Sequence, residues 1–359
     1  MRRMARGGHP NGPRSGVMKR IIFKFVLPWL ITLVALYLAF HEVSLESIRT
    51  YVGGSRKVYL VGVVVLTILS YILRAARWPL LFPNTNLPFG ASYRVLVLGF
   101  FMNNILPARA GELVRAHLGG KVVGQARTLV LATIASERLA DGLAISLMFA
   151  LIITIFGRGQ LDPEYAQNLT YVAYIFAGVA IAVIGVLLMR NRIFAFTDKV
   201  AERIDHKAST YTLSRVQMFI HGLSPLCSPS RALKIALWST VIWLVELGAF
   251  ACVAAAYNSP LSLSGTVLFL VAVNFSSLIP AAPGGFGVIE LVALKVLTSA
   301  GVEPKALALC MVLTQHLIQY IVIGVPGAFL LSTLRSQLRD MAESAQSGDS
   351  GVSGRHEAA

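Results

Sequence analysis

Arg109 and Glu112 flank Gly111 inside an otherwise apolar stretch of the chain. An ionised side chain at the centre of a membrane span costs about 2.5–3.5 kcal/mol on insertion scales, so charges retained there face a cavity or a partner. A guanidinium presents a planar fork of donors that matches phosphate oxygens. A helix starting near Gly111 would add free N–H groups and a partial positive charge. Asn104, Arg109, Gly111 and Glu112 therefore form a candidate site for an anionic headgroup. Glu112 either pairs with Arg115 at i, i+3 or holds Arg109 in place. The alternative is a structural ion pair at a broken helix.

Two further groups belong to the same half of the chain. Arg74 and Arg77 lie at i, i+3 on one helix face. Either they end a span and snorkel to headgroups with Trp78 as interfacial anchor, or they contact a headgroup directly. Glu137 and Asp141 lie at i, i+4 with Arg138 between them, so the two acids share a helix face. Two close carboxylates in a low dielectric favour a shared proton, whereas acids that neutralise Arg109 or Arg138 have a structural role. Of the two readings, neutralisation is favoured.

The other half offers mostly backbone. Pro283-Gly284-Gly285-Phe286-Gly287 precedes a helix that carries Glu290. Glycines so closely spaced allow N–H groups to approach an anion. No Gly-Lys-Ser/Thr follows, so this is not an ATP-binding loop. Glu246, Glu290 and His316 are ionisable groups in apolar context. They are candidates for proton or headgroup contacts, or for satisfied core roles.

The two regions are copies of one pattern. Asn103-Asn104-Ile105-Leu106-Pro107-Ala108-Arg109-Ala110-Gly111-Glu112 aligns with Ser276-Ser277-Leu278-Ile279-Pro280-Ala281-Ala282-Pro283-Gly284-Gly285 at a constant offset of 173 residues. Ser136-Glu137-Arg138-Leu139 is weakly echoed by Thr314-Gln315-His316-Leu317. Paired interruptions of apolar segments in corresponding halves are a pointer to a transport site.

The elements that must position these residues are membrane helices. The chain has 359 residues, 55% hydrophobic, with a mean hydropathy of +0.67. Six runs approach or exceed the roughly 20 residues that cross a bilayer: Ile21–Phe40, Val58–Leu73, Leu129–Phe156, Leu169–Met189, Ile235–Tyr257 and Ala306–Leu334. Two shorter pieces, Val95–Leu106 and Val267–Ile279, end at the repeated pattern and read as re-entrant hairpins. The fold class is an all-α polytopic membrane protein, six spans plus two hairpins. Residues 1–20 read as a basic disordered tail, 21–334 as one transmembrane domain with repeats at about 58–156 and 235–334, 190–234 as a basic loop, and 335–359 as a disordered tail. Phe194–Ile204 in that loop reads as an amphipathic stretch on the anionic leaflet.

Charge orients the spans. With both termini inside, the cytoplasmic segments hold 24 Lys or Arg and the external ones 6. That bias matches the positive-inside rule and places the chain in the cell inner (plasma) membrane with both termini cytoplasmic. The hairpins then enter from opposite faces, which is an inverted-topology repeat. The net charge of +15 is spread over loops between apolar runs, so nucleic acid is not expected as a partner. Cys227, Cys252 and Cys310 are far apart with no metal or redox spacing. No nucleophile elbow, zinc motif or dinucleotide fingerprint occurs. No enzyme activity, metal or cofactor is expected.

Asn104-x-x-Pro107-x-Arg109-x-Gly111-Glu112, Glu137-Arg138-Leu139-x-Asp141 and Pro283-Gly284-Gly285-x-Gly287-x-x-Glu290 together resemble the signatures of the lysylphosphatidylglycerol synthase transmembrane, or flippase-like, family. The resemblance covers about Phe23 to Leu334. It implies an integral membrane protein that moves anionic phospholipid or polyprenyl-phosphate-linked headgroups between leaflets. The soluble synthase domain of two-domain members is missing, so aminoacyl transfer is not implied. The expected headgroup site is Arg74, Arg77, Asn104, Arg109, Gly111, Glu112, Arg115, Gly284 and Gly285. Glu137, Arg138, Asp141 and Glu290 are expected to order the arginines or relay protons. Two other readings stand beside this one: a lipid-binding partner of a glycosyltransferase or lipid synthase, docked through Arg190–Lys234, and a carrier for a small soluble anion.

Overall fold

A computed structural model describes residues 27–353, apart from 85, 107–108, 204–206, 260, 278, 280 and most of 157–189. Every regular element among the described residues is helical. In chain order they are α1 (Leu27–Phe40), α2 (Leu45–Gly54), α3 (Lys57–Arg77), α4 (Phe89–Ile105), α5 (Gly111–Val123), α6 (Arg127–Phe156), α7 (Arg190–Arg203), α8 (Lys207–Gly222), α9 (Pro229–Ala256), α10 (Leu263–Ser276), α11 (Val288–Ser299) and α12 (Lys305–Ser353).

Two runs of four helices share one plan. A long helix, a shorter helix, an irregular tip, a short helix and a second long helix occur as α3–α6 and again as α9–α12. The boundaries follow local chemistry. Ser262 caps α10 by accepting the Gly265 N–H at 3.2 Å. Gly124 ends α5 in the left-handed conformation, φ 66°. α3 and α9 pack along each other because glycines thin the contact: Gly62 faces Cys252 and Gly248 faces Leu66.

Among the described residues, three segments are long and apolar enough to cross a membrane: Lys57–Leu81, Pro229–Ala256 and Lys305–Thr333. They match three of the six expected spans. α1 and α2 are bent by 75° and make a fourth if taken together. The expected span Leu129–Phe156 lies in α6, a 30-residue helix; Leu169–Met189 falls largely outside the described residues, as do residues 1–20. α12 carries its helix through Ser353, into the segment read from sequence as a disordered tail. Residues 328–347 contain neither Pro nor Gly to stop it.

The burial pattern is that of a protein solvated by hydrocarbon. Val58, Leu237 and Phe329 are more than half exposed on the three long helices, while the interior holds charge. The larger apolar core centres on Phe250 and Phe269, whose rings meet edge-on at 4.8 Å. A second gathers Trp78, Leu81, Ile134 and Ile235 beneath the first tip.

Candidate functional site

The two copies of the pattern meet. Arg109 donates from Nη2 to both the carbonyl and the Oγ of Ser277, each at 2.8 Å. Tyr320 on α12 donates from its hydroxyl to the Asn104 carbonyl at 2.9 Å, with the Pro283 carbonyl at 3.4 Å. One tyrosine thus reaches both tips. Between them lies a cavity of about 470 Å³ lined by Arg74, Asn103, Asn104, Arg109, Arg138, Glu246, Asn274, Ser277, Gly284, Gly285, His316, Gln319 and Tyr320. Its apolar lining includes Tyr71, Phe100, Trp243 and Ile289.

The first tip is built by close approach and by charge. A Cβ at Gly111 would lie 2.3 Å from the Gly99 carbonyl and 2.4 Å from the Asn103 nitrogen. Gly111 therefore brings the start of α5 against the backbone of α4, and it does not line the cavity. Arg109 adopts φ 55°, a left-handed conformation uncommon for a residue with a side chain and concentrated at functional sites. No carboxylate lies within ion-pair distance of Arg109 among the described residues. The expected restraint of Arg109 by Glu112 is replaced by Ser277, because Glu112 turns to Arg138 Nε at 3.0 Å. The i, i+3 pairing of Glu112 with Arg115 is likewise not formed. Arg115 lies under the Trp78 ring, 4.3 Å from its centroid, and binds Glu137 at 2.6 Å.

Beneath the tip a buried network balances three arginines against three carboxylates. Asp141 accepts from Arg77 at 2.5 Å and from Arg74 at 3.1 Å; Glu246 on α9 lies 3.4 Å from Arg74. Glu137 accepts from Arg115 and sits 3.8 Å from Arg77. Ser239 and Trp243 of α9 and Ser70 of α3 complete the shell. Arg77 has no exposed surface, so neither snorkelling nor headgroup contact describes it. Glu137 and Asp141 each hold arginines, so they are not a pair sharing a proton. Arg74 and Glu246 alone of these six reach the cavity, and Glu246 Oε2 there has no hydrogen-bond partner among the described residues.

The second tip is built from glycine conformations. Gly284, Gly285 and Gly287 have φ of 75°, 79° and 82°. A Cβ on Gly284 would fall 1.5 Å from the Tyr320 hydroxyl. Two N–H groups expected to face an anion are already used: Gly285 donates to the Ala282 carbonyl at 2.9 Å, and Gly287 donates to Glu290 Oε2 at 2.6 Å. Glu290 therefore caps the start of α11, and its other oxygen meets His316 Nδ1 at 2.5 Å. α1 braces the tip from outside the repeat. The Ala282 N–H donates to Thr32 Oγ1 at 3.0 Å, and the Thr32 hydroxyl donates to the Phe286 carbonyl at 3.0 Å.

Of the expected headgroup residues, Arg74, Asn104, Arg109, Gly284 and Gly285 converge on the cavity, while Arg77, Gly111, Glu112 and Arg115 stand behind it. Arg138 lines it as well. Tyr320, Trp243, Tyr71, Asn274 and Gln319 were not singled out by sequence. Tyr320 follows His316 by four residues and Trp243 precedes Glu246 by three, so each shares a helix face with an ionisable residue in apolar context.

Residues 25–327 match the family model described as lysylphosphatidylglycerol synthase TM region. A UPF0104 membrane protein of Methanothermobacter thermautotrophicus is 23% identical over 288 residues, covering 75% of this chain and 83% of that protein. UPF0104 membrane protein PH1989 of Pyrococcus horikoshii is 24% identical over 310 residues, 77% of this chain and 87% of that one. Glycosyltransferase AglD of Haloferax volcanii is 23% identical over 349 residues; the match takes in 88% of this chain but only 55% of that protein.

Proposed function

The chain belongs to the lysylphosphatidylglycerol synthase TM-region family, and on that premise we propose that it is a lipid translocase that carries an anionic headgroup between leaflets. One observation carries the reading. Arg109 is a cation with no acidic partner among the described residues, held in strained backbone at a cavity to which both copies of the repeat contribute. The buried network neutralises its own arginines and leaves Arg109 to an incoming anion. In this proposal α4–α5 and α10–α11 are re-entrant hairpins of opposite sense, and both chain termini are cytoplasmic in the plasma membrane. A phosphate docks on Arg109. Asn104, Asn274 and Gln319 offer amides to the rest of the headgroup. The apolar tails stay in hydrocarbon, and one repeat rocks against the other. No step calls for bond making.

The test is leaflet exchange of fluorescent phosphatidylglycerol and of a polyprenyl phosphate in liposomes containing the purified protein. Arg109→Ala should slow exchange at least about tenfold, the loss of one charge-assisted contact, and Arg109→Lys should retain part of it. Exchange at the unmodified rate by Arg109→Ala would overturn the site.

A second reading is a non-transporting lipid-binding partner of a glycosyltransferase. What favours it is the match to AglD, a protein named as a glycosyltransferase, over 55% of that protein's length. The same liposomes separate the readings: lipid binding that depends on Arg109 without leaflet exchange supports the second.

A further inference from the structure

The hydrogen bonds around His316 require a proton count. Its Nε2 lies 3.2 Å from the Gly284 carbonyl, an oxygen that can only accept. Nε2 therefore carries hydrogen. Nδ1 lies 2.5 Å from Glu290 Oε1, a separation that bare lone pairs cannot hold, so a second proton lies between them. The pair thus contains one proton more than a neutral imidazole plus a carboxylate, and its net charge is zero. Glu290 is fully buried and His316 nearly so. His316 faces the cavity.

Removing that proton forces a choice. A neutral imidazole has one N–H and cannot serve Glu290 and Gly284 together. The carboxylate is the stronger acceptor, so the hydrogen moves to Nδ1. Nε2 then turns a lone pair toward the Gly284 carbonyl. Gly284 is the residue whose missing side chain makes room for the Tyr320 hydroxyl, and Tyr320 reaches the first tip at Asn104. Loss of one proton therefore releases the contact that holds Gly284 to α12 beside Tyr320.

We propose that Glu290 and His316 form a proton-binding site that latches the second tip over the cavity, and that anion binding in the cavity is coupled to proton uptake there. The coupling half rests on the anionic-headgroup reading above. Its sign follows from charge. The deprotonated pair carries −1 and repels an anion seated at Arg109; the protonated pair is neutral. The other ionisable groups lining the cavity are Tyr71 and Arg74 of α3, Arg109 and Arg138 of the first repeat, Glu246 of α9 and Tyr320 of α12. α10 has no ionisable side chain, and that of α1, Tyr37, is mostly exposed. On α11 and α12, Lys295 and Lys305 make no ion pair with either member, and Lys305 is held by Glu42. Affinity for an anionic headgroup rises as pH falls, at most about tenfold per pH unit for one proton, and by reciprocity the headgroup strengthens proton binding.

Two measurements on the full-length protein in phosphatidylcholine nanodiscs test this. Hydrogen exchange of the peptide spanning 281–287, corrected for intrinsic rate, reads the latch without any lipid ligand. Calorimetric titration with dioctanoyl phosphatidylglycerol in buffers of different ionisation enthalpy counts protons taken up, with dioctanoyl phosphatidylcholine as control. We expect protection of the tip to fall as pH rises, and fractional proton uptake up to about one per anionic lipid. Glu290→Gln keeps an oxygen for Gly287 and an N–H for His316 Nδ1, so it mimics the protonated pair: tip protected at all pH, no proton uptake, binding flat with pH. His316→Gln also abolishes uptake but leaves the tip less protected. A tip that does not titrate, or variants that retain the wild-type pH response, overturns the proton site whether or not lipid moves. A tip that titrates and is locked by Glu290→Gln, with no binding of the anionic lipid, upholds the latch and overturns the headgroup reading.

Discussion

The two tips solve one problem by different means. Each must hold irregular backbone among packed helices, where unsatisfied polar groups are costly. The first uses side chains: Arg77, Arg74 and Arg115 are matched by Asp141, Glu137 and Glu246 behind it, and Glu112 pairs with Arg138 at its flank. The second uses backbone conformation: three left-handed glycines, with Glu290 as cap and Thr32 as brace. One repeated pattern thus has an electrostatic half and a conformational half. Arg109 and Tyr320 are the stitches between them.

The comparison breaks most severely if the charge balance is removed. Arg77→Ala would leave Asp141 with one arginine in a buried site, a loss of about 3–5 kcal/mol. Thermal unfolding in detergent should show it as the largest destabilisation of the set. Next come the glycines. Gly111→Ala drives a Cβ into the Gly99 carbonyl and the Asn103 nitrogen, atoms of main chain that cannot rotate away. Gly284→Ala strains φ and meets the Tyr320 side chain instead. Each should cost about 1–3 kcal/mol, but combining Gly284→Ala with Tyr320→Ala should recover part of the loss, whereas no single side-chain truncation rescues Gly111→Ala. The midpoints of the double and single variants check this. Smallest is Glu112→Gln. Its pair with Arg138 is a quarter to a third exposed, so the expected change is below about 1 kcal/mol. Arg109→Ala sharpens the contrast from the other side: losing its two hydrogen bonds to Ser277 should cost about 1–3 kcal/mol, while lipid exchange falls at least about tenfold.

Much of this was legible in the residues. The doubled pattern located both tips, and apolar runs located α3, α9 and the membrane part of α12. Partner choice was not legible, because spacing along one helix speaks only of neighbours on that helix. Glu112 and Arg115 at i, i+3 suggested a pair, yet Arg115 points toward α6 and Glu112 toward Arg138, both 22–26 residues onward. The contact of Arg109 with Ser277 spans 168 residues, beyond any local rule. For the second tip, the glycines correctly implied unusual backbone. That two of their N–H groups would be consumed internally depended on Glu290 folding back as a cap, which a capping-box reading of Gly287 to Glu290 could have raised.

The brace from Thr32 has a consequence for how the molecule is made. Its partners, Ala282 and Phe286, follow it by 250 and 254 residues. α1 therefore leaves the ribosome about 250 residues before the surface it docks on. While those 250 residues are made, this helix must wait with its contact to the second tip unformed. Closure of the second tip therefore waits on the synthesis of α11, and a chain stalled before α11 is complete should display α1 as an unclaimed segment open to membrane quality control.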